Sequence, residues 1–455
     1  MSTDRVIEYW SNGRSEPLHL SWKYDVYSDF SEAANAIADA FPPVAADLWD
    51  IAAACHAVDR RVRRPPNEHW KPSAWGRDIG IRVAVRNPSL WERHRRLLEG
   101  LLTWLTCDRW SLSFREPRPG ELPKQVVEPF LEGIDDWPGK RIAMLFSGGA
   151  DSTAGVLHEV SQSQGDSVLL TVSVASNKKM RSRQENLAKS IPQRLGMRVA
   201  PLPFRLHLKK STSGAVRSEN SQRTRGLVFL AAGIAAALTA GCRRLLIYEN
   251  GIGAINLPCT RGQVGAQAAR PVHPRTILVM QRIADIVADA CGLPPLVLEN
   301  KALWRTKAEL IGGLPPAYDD ILAASVSCDT GFAARSEFSH CGECSSCLLR
   351  RQALLAAGRS AVEHREEYRG RSEIEDQHLH AMLWQVARMR RALEAEDPWT
   401  AFVQEFPDVL CVPSVLDHRD ELLDLYRRYC AEWADPAIAR RLGFQPSTWG
   451  LTAPG

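Results

Sequence analysis

The sequence has no strong excess of charge of either sign: 57 Lys and Arg stand against 53 Asp and Glu, for a formal net charge of +4. A balance this close to neutral gives no electrostatic ground for a nucleic-acid partner, and the scattered Arg pairs read as solvated surface. Long hydrophobic runs are missing too. The most apolar helical stretch, Leu227 to Ala240, is too short to cross a bilayer and is rich in Ala and Gly, which suits close packing inside a core; no membrane association is expected. The opening MSTDRVIEYWSNGRSEP has no basic region followed by an apolar run, so no secretory signal is read there and a cytoplasmic location is expected. Low-complexity tracts and fixed-period repeats are also lacking, which excludes solenoids and disordered tails.

What is there is an ordinary globular composition, 45% hydrophobic and 24% charged over 455 residues. Single cores stop growing beyond roughly 250 to 300 residues, so two or three domains are expected. Eleven cysteines is an odd count, and in a reducing compartment clustered cysteines are better read as metal ligands than as disulfides. Cys55, Cys107, Cys242, Cys259, Cys291, Cys411 and Cys430 are dispersed and read as core thiols.

Three regions emerge. Residues 1–135 form an α+β accessory domain with alternating residues at Ile79 to Val85, a Leu-rich helical stretch at Leu90 to Leu105, and tryptophans at 22, 49, 70, 75, 91, 104 and 110 that read as core. The four prolines between Glu116 and Pro129 read as a linker. Residues 136–362 alternate short apolar runs with helical segments, the pattern of an α/β parallel sheet. Strands are expected at Ile142 to Phe146, Val168 to Val174, Arg198 to Phe204, Leu245 to Tyr248 and Pro295 to Leu298. Helices are expected at Ser152 to Ser163, Arg181 to Arg194, Arg223 to Ala240 and Pro274 to Ala290, with ligands bound beyond the carboxyl ends of the strands. Residues 363–455 read as a helical extension, amphipathic at Ile374 to Glu394 and Glu421 to Trp433.

The most informative stretch is Arg141-Ile-Ala-Met-Leu-Phe-Ser-Gly-Gly-Ala-Asp-Ser-Thr153, a buried strand entering a glycine turn and then a helix. Gly148 and Gly149 let the backbone approach an anion, and the helix start offers unpaired N–H groups and a positive dipole end. Ser147, Ser152 and Thr153 add hydroxyl donors, while Asp151 suits Mg²⁺ shared with phosphate oxygens. Neither a Walker A loop nor a dinucleotide fingerprint is present in this stretch, which argues against γ-phosphate transfer of the kinase type and against hydride transfer. A bare strand-to-helix turn explains the glycines but not the whole set.

The second constellation is Cys341-Gly342-Glu343-Cys344-Ser345-Ser346-Cys347 with Cys328 upstream. Four thiolates close a tetrahedral structural zinc site, and two consecutive C-x-x-C steps bring sulfurs to one point. An iron–sulfur cluster also uses four cysteines, whereas a redox dithiol leaves two thiols unexplained.

SGGADS resembles the SGGxDS signature of PP-loop ATP pyrophosphatases, an adenine nucleotide alpha hydrolase-like, Rossmann-like fold. Together with Cys328 and CGECSSCLLRR it resembles the 7-cyano-7-deazaguanine synthases, the QueC family, over about residues 140–360. Arg223-Thr-Arg225-Gly226 is similar to that family's R-x-R-N/G segment and Thr306-Lys307-Ala308-Glu309 to its T-K-x-E segment. Glu249 to Arg261 stands where the family has an acidic, YPDCR-like stretch. The long additions at both ends resemble those of the QatC-type subunits of bacterial antiviral defence operons, with LLTWLTCDRW ahead of the glycine turn.

The resemblance implies an ATP-dependent ligase with ATP, Mg²⁺ and Zn²⁺ as cofactors. ATP is held by Ser147, Gly148, Gly149, Asp151, Ser152 and Thr153, catalysis involves Asp151, Ser152, Arg223, Arg225 and Lys307, and zinc sits on Cys328, Cys341, Cys344 and Cys347. The implied reaction adenylates a deazapurine carboxylate, 7-carboxy-7-deazaguanine, with release of pyrophosphate. A nitrogen nucleophile then attacks, either ammonia, giving an amide or nitrile, or an amine of a partner protein from the defence operon. A PP-loop enzyme acting on tRNA and an ATP-binding subunit without turnover remain as alternatives. Replacing Asp151 by Ala is expected to end turnover and leave the fold intact.

Overall fold

A computed structural model of the chain describes residues 6–11, 16–22, 25–28, 41–64, 76–119, 121, 140–162, 167–195, 198–208, 219, 221–259, 270–328, 340–342, 344–364 and 376–451. Trp70, Trp75, Thr260, Arg261, Glu343 and part of the 116–129 linker lie outside them.

Ten strands occur among the described residues: β1 (Val6–Ser11), β2 (Leu18–Ser21), β3 (Val26–Ser28), β4 (Asp78–Ala84), β5 (Arg109–Arg115), β6 (Lys140–Leu145), β7 (Ser167–Ala175), β8 (Val199–Leu208), β9 (Arg244–Ile247) and β10 (Val297–Asn300). The protein is α/β. Its main sheet has the order β10-β9-β6-β7-β8-β3, in which the first five strands run parallel and β3 adds an antiparallel edge to β8. β7 is buried along nearly its whole length, as a strand covered on both faces must be. β10 starts two residues later than the apolar run suggests, because Pro294 and Pro295 have no N–H to give the ladder.

The helices that matter to the site are α1 (Pro43–Arg61), α2 (Pro88–Arg93), α3 (Arg95–Thr106), α4 (Ala150–Gln162), α5 (Lys178–Leu195), α6 (Arg225–Thr239), α7 (Gly251–Ile255), α8 (Pro274–Ala290) and α9 (Lys307–Gly312). After them come α10 (Asp319–Ala324), α11 (Ser345–Ala356), α12 (Ser360–His364), α13 (Asp376–Leu393), α14 (Pro398–Glu405), α15 (Arg419–Ala434) and α16 (Pro436–Leu442). The Leu90 to Leu105 stretch is two helices, interrupted at His94. The chain runs β6, β7, β8 outward on one side, then returns to place β9 on the other side of β6. That reversal opens a crevice at the carboxyl end of β6, between the loops after β6 and β9.

A smaller sheet, β2-β1-β4-β5, is antiparallel except for the parallel β4–β5 pair. Its segment does not stand apart from the main sheet. α1 and α6 bury their apolar residues in one continuous core with β6, β7 and β8. Arg77, Asp59 and Asp108 are buried together in ion pairs, and Asp59 also accepts hydrogen bonds from Ser221 and Thr224 at the approach to α6. The carboxyl-terminal helices form a second core that includes Ile255, Leu257 and Leu348. Among the described residues no helix is long and apolar enough to cross a membrane.

Candidate functional site

The turn after β6 folds as its sequence requires. Gly148 has φ +79°, a conformation side chains disfavour, and the chain then enters α4 with Asp151 in its first turn. Ser147 Oγ lies 3.1 Å from Ser152 Oγ and accepts from the Gly149 amide at 3.3 Å, so the two hydroxyls brace the turn. Gln184 of α5 donates to the Ser147 carbonyl at 2.9 Å. On the other side Val326 N donates to Gly148 O at 2.9 Å, and Ser327 Oγ accepts from Ala150 N at 3.2 Å. Thr153 is fully buried inside α4, and its hydroxyl belongs to the core, not to the turn's surface.

The loop after β9 meets this turn. Asn250 is fully buried; its side-chain oxygen caps α7 by accepting from Gly253 N at 3.1 Å, which fixes the amide so that Nδ2 faces acids. Nδ2 donates to Glu249 Oε1 at 3.2 Å and reaches Asp151 Oδ1 at 3.5 Å. Lys307 Nζ pairs with Asp151 Oδ2, and both side chains are buried. Lys307 is held there by a capping box at Thr306 and Glu309 and by a hydrogen bond between His158 of α4 and the Leu310 carbonyl. Burial, and then the Asp151 charge, push the Glu249 carboxyl up to about 8, against the opposing effect of Lys307. One cation and two carboxylates therefore converge beside helix-start amides, an arrangement suited to an anion together with a divalent cation.

The remaining expected residues do not all gather there. Arg223 turns to the N-terminal segment, donating to Thr106 O at 3.1 Å. Arg225 Nη2 donates to Met180 Sδ of α5 at 3.6 Å and lies over the Phe229 ring. Glu249 and Asn250 were visible in the sequence only as a departure from a motif. Gln184 and Ser327 carry no sequence signal, since each acts by reaching the turn from a distant segment.

Cys328, Cys341, Cys344 and Cys347 bring their sulfurs within 4.8 Å of one another. The Cys341–Cys347 sulfur separation is 3.9 Å, against about 3.8 Å for the edge of a tetrahedron with metal–sulfur bonds near 2.3 Å. The amides of Cys341, Cys344 and Cys347 donate to the sulfurs of Cys328, Cys341 and Cys344 at 3.3, 3.3 and 3.4 Å, which orients the lone pairs inward. Hydrogen bonding from Cys328 and Cys344, then burial, pushes the Cys347 thiol far above its ordinary value. Four sulfurs this close shed their protons only around a cation, and the geometry fits a metal such as zinc.

In comparisons with known proteins, the chain matches no protein-family model, and no curated protein is significantly similar to it.

Proposed function

We propose that the protein is an ATP-dependent ligase of the PP-loop type, similar to the 7-cyano-7-deazaguanine synthases, that activates 7-carboxy-7-deazaguanine for attack by a nitrogen nucleophile. The observation that carries this reading is the Lys307–Asp151 pair set against the Ser147–Ser152 turn, with Glu249 and Asn250 beside it. The turn amides and the Ser147 and Ser152 hydroxyls hold the β and γ phosphates of ATP. Asp151 and Glu249 would hold Mg²⁺, which would supply neutralisation of phosphate charge. In this reading Lys307 stabilises charge on the α phosphate while a substrate carboxylate oxygen attacks it, giving an acyl adenylate and pyrophosphate. Because the Lys307 side chain is buried, its field there is little screened. The four cysteines would hold zinc as a structural ion.

An amine then displaces AMP. Ammonia yields the amide and, after a second activation, the nitrile; an amine of a partner protein yields a conjugate, the outcome suited to a subunit of a bacterial antiviral defence operon. The test is pyrophosphate release from ATP by metal-loaded protein, with and without 7-carboxy-7-deazaguanine, ammonia and the proteins encoded beside it. Carboxylate-dependent release is expected, and it should vanish in Lys307→Ala. Bound ATP without release under every condition overturns the reading.

A further inference from the structure

The carboxyl-terminal extension reaches the crevice through one helix. On α15, Leu425, Arg428 and Glu432 recur at helical spacing and so form a single stripe. All three touch segments that carry the residues of the site. Glu432 Oε1 accepts from the Thr306 hydroxyl at 2.5 Å. Arg428 pairs with Glu309 Oε1 at 2.6 Å and donates to the Trp304 carbonyl at 2.9 Å. Leu425 is fully buried against the start of α7, so closely that a Cβ on Gly251 would lie 2.5 Å from its Cδ2.

Thr306 and Glu309 are the two halves of the capping box that starts α9, and Lys307 is the first residue inside that helix. α15 therefore grips the box at both ends. A threonine hydroxyl has one hydrogen, and giving it to Glu432 leaves the oxygen lone pairs for the Glu309 amide, which donates to it at 3.1 Å. The Glu309 carboxylate accepts from Thr306 N at 2.9 Å through one oxygen and meets Arg428 through the other. A cap fixed in this way gives the Lys307 backbone one direction, and Nζ ends on Asp151. Across the crevice, Gly251 follows Asn250 and donates to the Arg305 carbonyl at 2.9 Å. The two segments that supply Lys307 and Asn250 thus rest on the same stripe.

Packing does not account for the acid in that stripe. Burial pushes the Glu432 carboxyl up to about 7, against the hydrogen bonds from Thr306 and Gln352, and a buried acid costs stability that an apolar side chain does not. What the carboxylate adds is direction. It accepts from the α9 cap at one oxygen and, at 2.8 Å, from Gln352 of α11 at the other.

We infer that α15 belongs to the catalytic apparatus: Glu432 and Arg428 are positioning residues that aim Lys307, and Leu425 sets its separation from Asn250. The extension is then required for the chemistry without touching the reacting atoms. What Lys307 does there rests on the ligase reading above; where it is held does not.

The test compares full-length, metal-loaded wild type with Glu432→Ala, Glu432→Gln and Arg428→Met in pyrophosphate release from ATP with 7-carboxy-7-deazaguanine and ammonia. Glu432→Ala should lower kcat about tenfold or more and change KM for ATP by less than about threefold, because a misaimed lysine is lost mainly in the transition state. Glu432→Gln should recover most of the loss: its amide oxygen accepts from Thr306, and Gln352, whose own side-chain oxygen has no partner, turns to accept from the new amide. Binding of inorganic pyrophosphate should stay at the wild-type value and report an intact turn. Should Glu432→Ala fail to fold, Arg428→Met, at a half-exposed side chain, should still lower kcat about threefold.

A second readout needs no turnover. The coupling between Asp151→Asn and Lys307→Met in urea denaturation should fall by more than half in the Glu432→Ala background and survive in Glu432→Gln. Unchanged kcat and coupling, a glutamine variant no better than alanine, or loss of pyrophosphate binding in step with kcat overturns the positioning role. If the wild type releases no pyrophosphate under any condition, the ligase reading falls and the coupling alone decides: its fall upholds the role of Glu432, and its constancy overturns it.

Discussion

Ser327 Oγ accepts the Ala150 amide hydrogen at 3.2 Å, across 177 residues of sequence. The residue before it, Val326, donates to Gly148 O, and the residue after it, Cys328, supplies a sulfur to the four-cysteine cluster. Arg350, fully buried in the helix that begins beside Cys344, donates to Ser325 and Ser327 and holds the strap from behind. The cluster and the glycine turn are therefore joined through one short segment.

Removing the metal should reach the turn. Chelation, or Cys344→Ser, is expected to lower Tm and metal content and to weaken ATP binding about tenfold, an effect of the size seen when support around a site is lost. Cys259→Ser, at a thiol outside the cluster, should do neither. Thermal melting, metal analysis and ATP titration on the same samples check this; a lower Tm with unchanged ATP affinity contradicts the coupling.

The Lys307–Asp151 pair alters the expectation that Asp151→Ala spares the fold. Both side chains are buried, so removing either leaves a charge without its partner, at a cost of about 3–5 kcal/mol. The double variant Asp151→Asn with Lys307→Met should recover much of that stability while remaining inactive. Urea denaturation of the four proteins gives the coupling, and additive losses would mean that the pair does not interact.

Glu249 gives a pH dependence with a definite sign. Between its ordinary value near 4.5 and its folded value of about 8, the folded protein keeps a proton that the unfolded chain has released, so this group's contribution to stability is lost as pH rises through that window. Glu249→Gln keeps the acceptor for Asn250 but cannot ionise. It should match the wild type near pH 4.5 and melt higher at pH 8, by about 5 °C. A difference that does not grow with pH refutes the assignment.

Gly155 tests the packing under the turn. In an isolated helix, Gly→Ala stabilises by about 1 kcal/mol. Here a Cβ would lie 2.2 Å from Cγ of Tyr248, whose hydroxyl is anchored on Glu159 at 2.6 Å and cannot swing aside. Gly155→Ala should therefore destabilise the protein, by about 1–3 kcal/mol of overpacking less the helix gain. A higher urea midpoint would mean that the ring moves.

The sequence by itself determined what local geometry determines. A strand, two glycines and a helix start follow from φ preferences and unpaired amides within Leu145 to Ser152, and C-x-x-C spacing brings sulfurs together because a three-residue step folds back on itself. The five parallel strands were legible in their apolar runs for the same reason. What only the tertiary structure decided is which distant segments meet. Lys307 finds Asp151 across 156 residues because β9 returns beside β6, and no periodicity in either segment encodes that neighbour. Arg223 and Arg225, two positions apart and alike on paper, separate because the chain enters α6 between them, sending one to Thr106 and the other to Met180. Glu432 lies in a segment with no motif at all. It reaches the Thr306 cap because α15 buries Leu425 and Tyr429 in one core with Ile255 and Leu348, a contact fixed by shared burial between residues far apart in sequence.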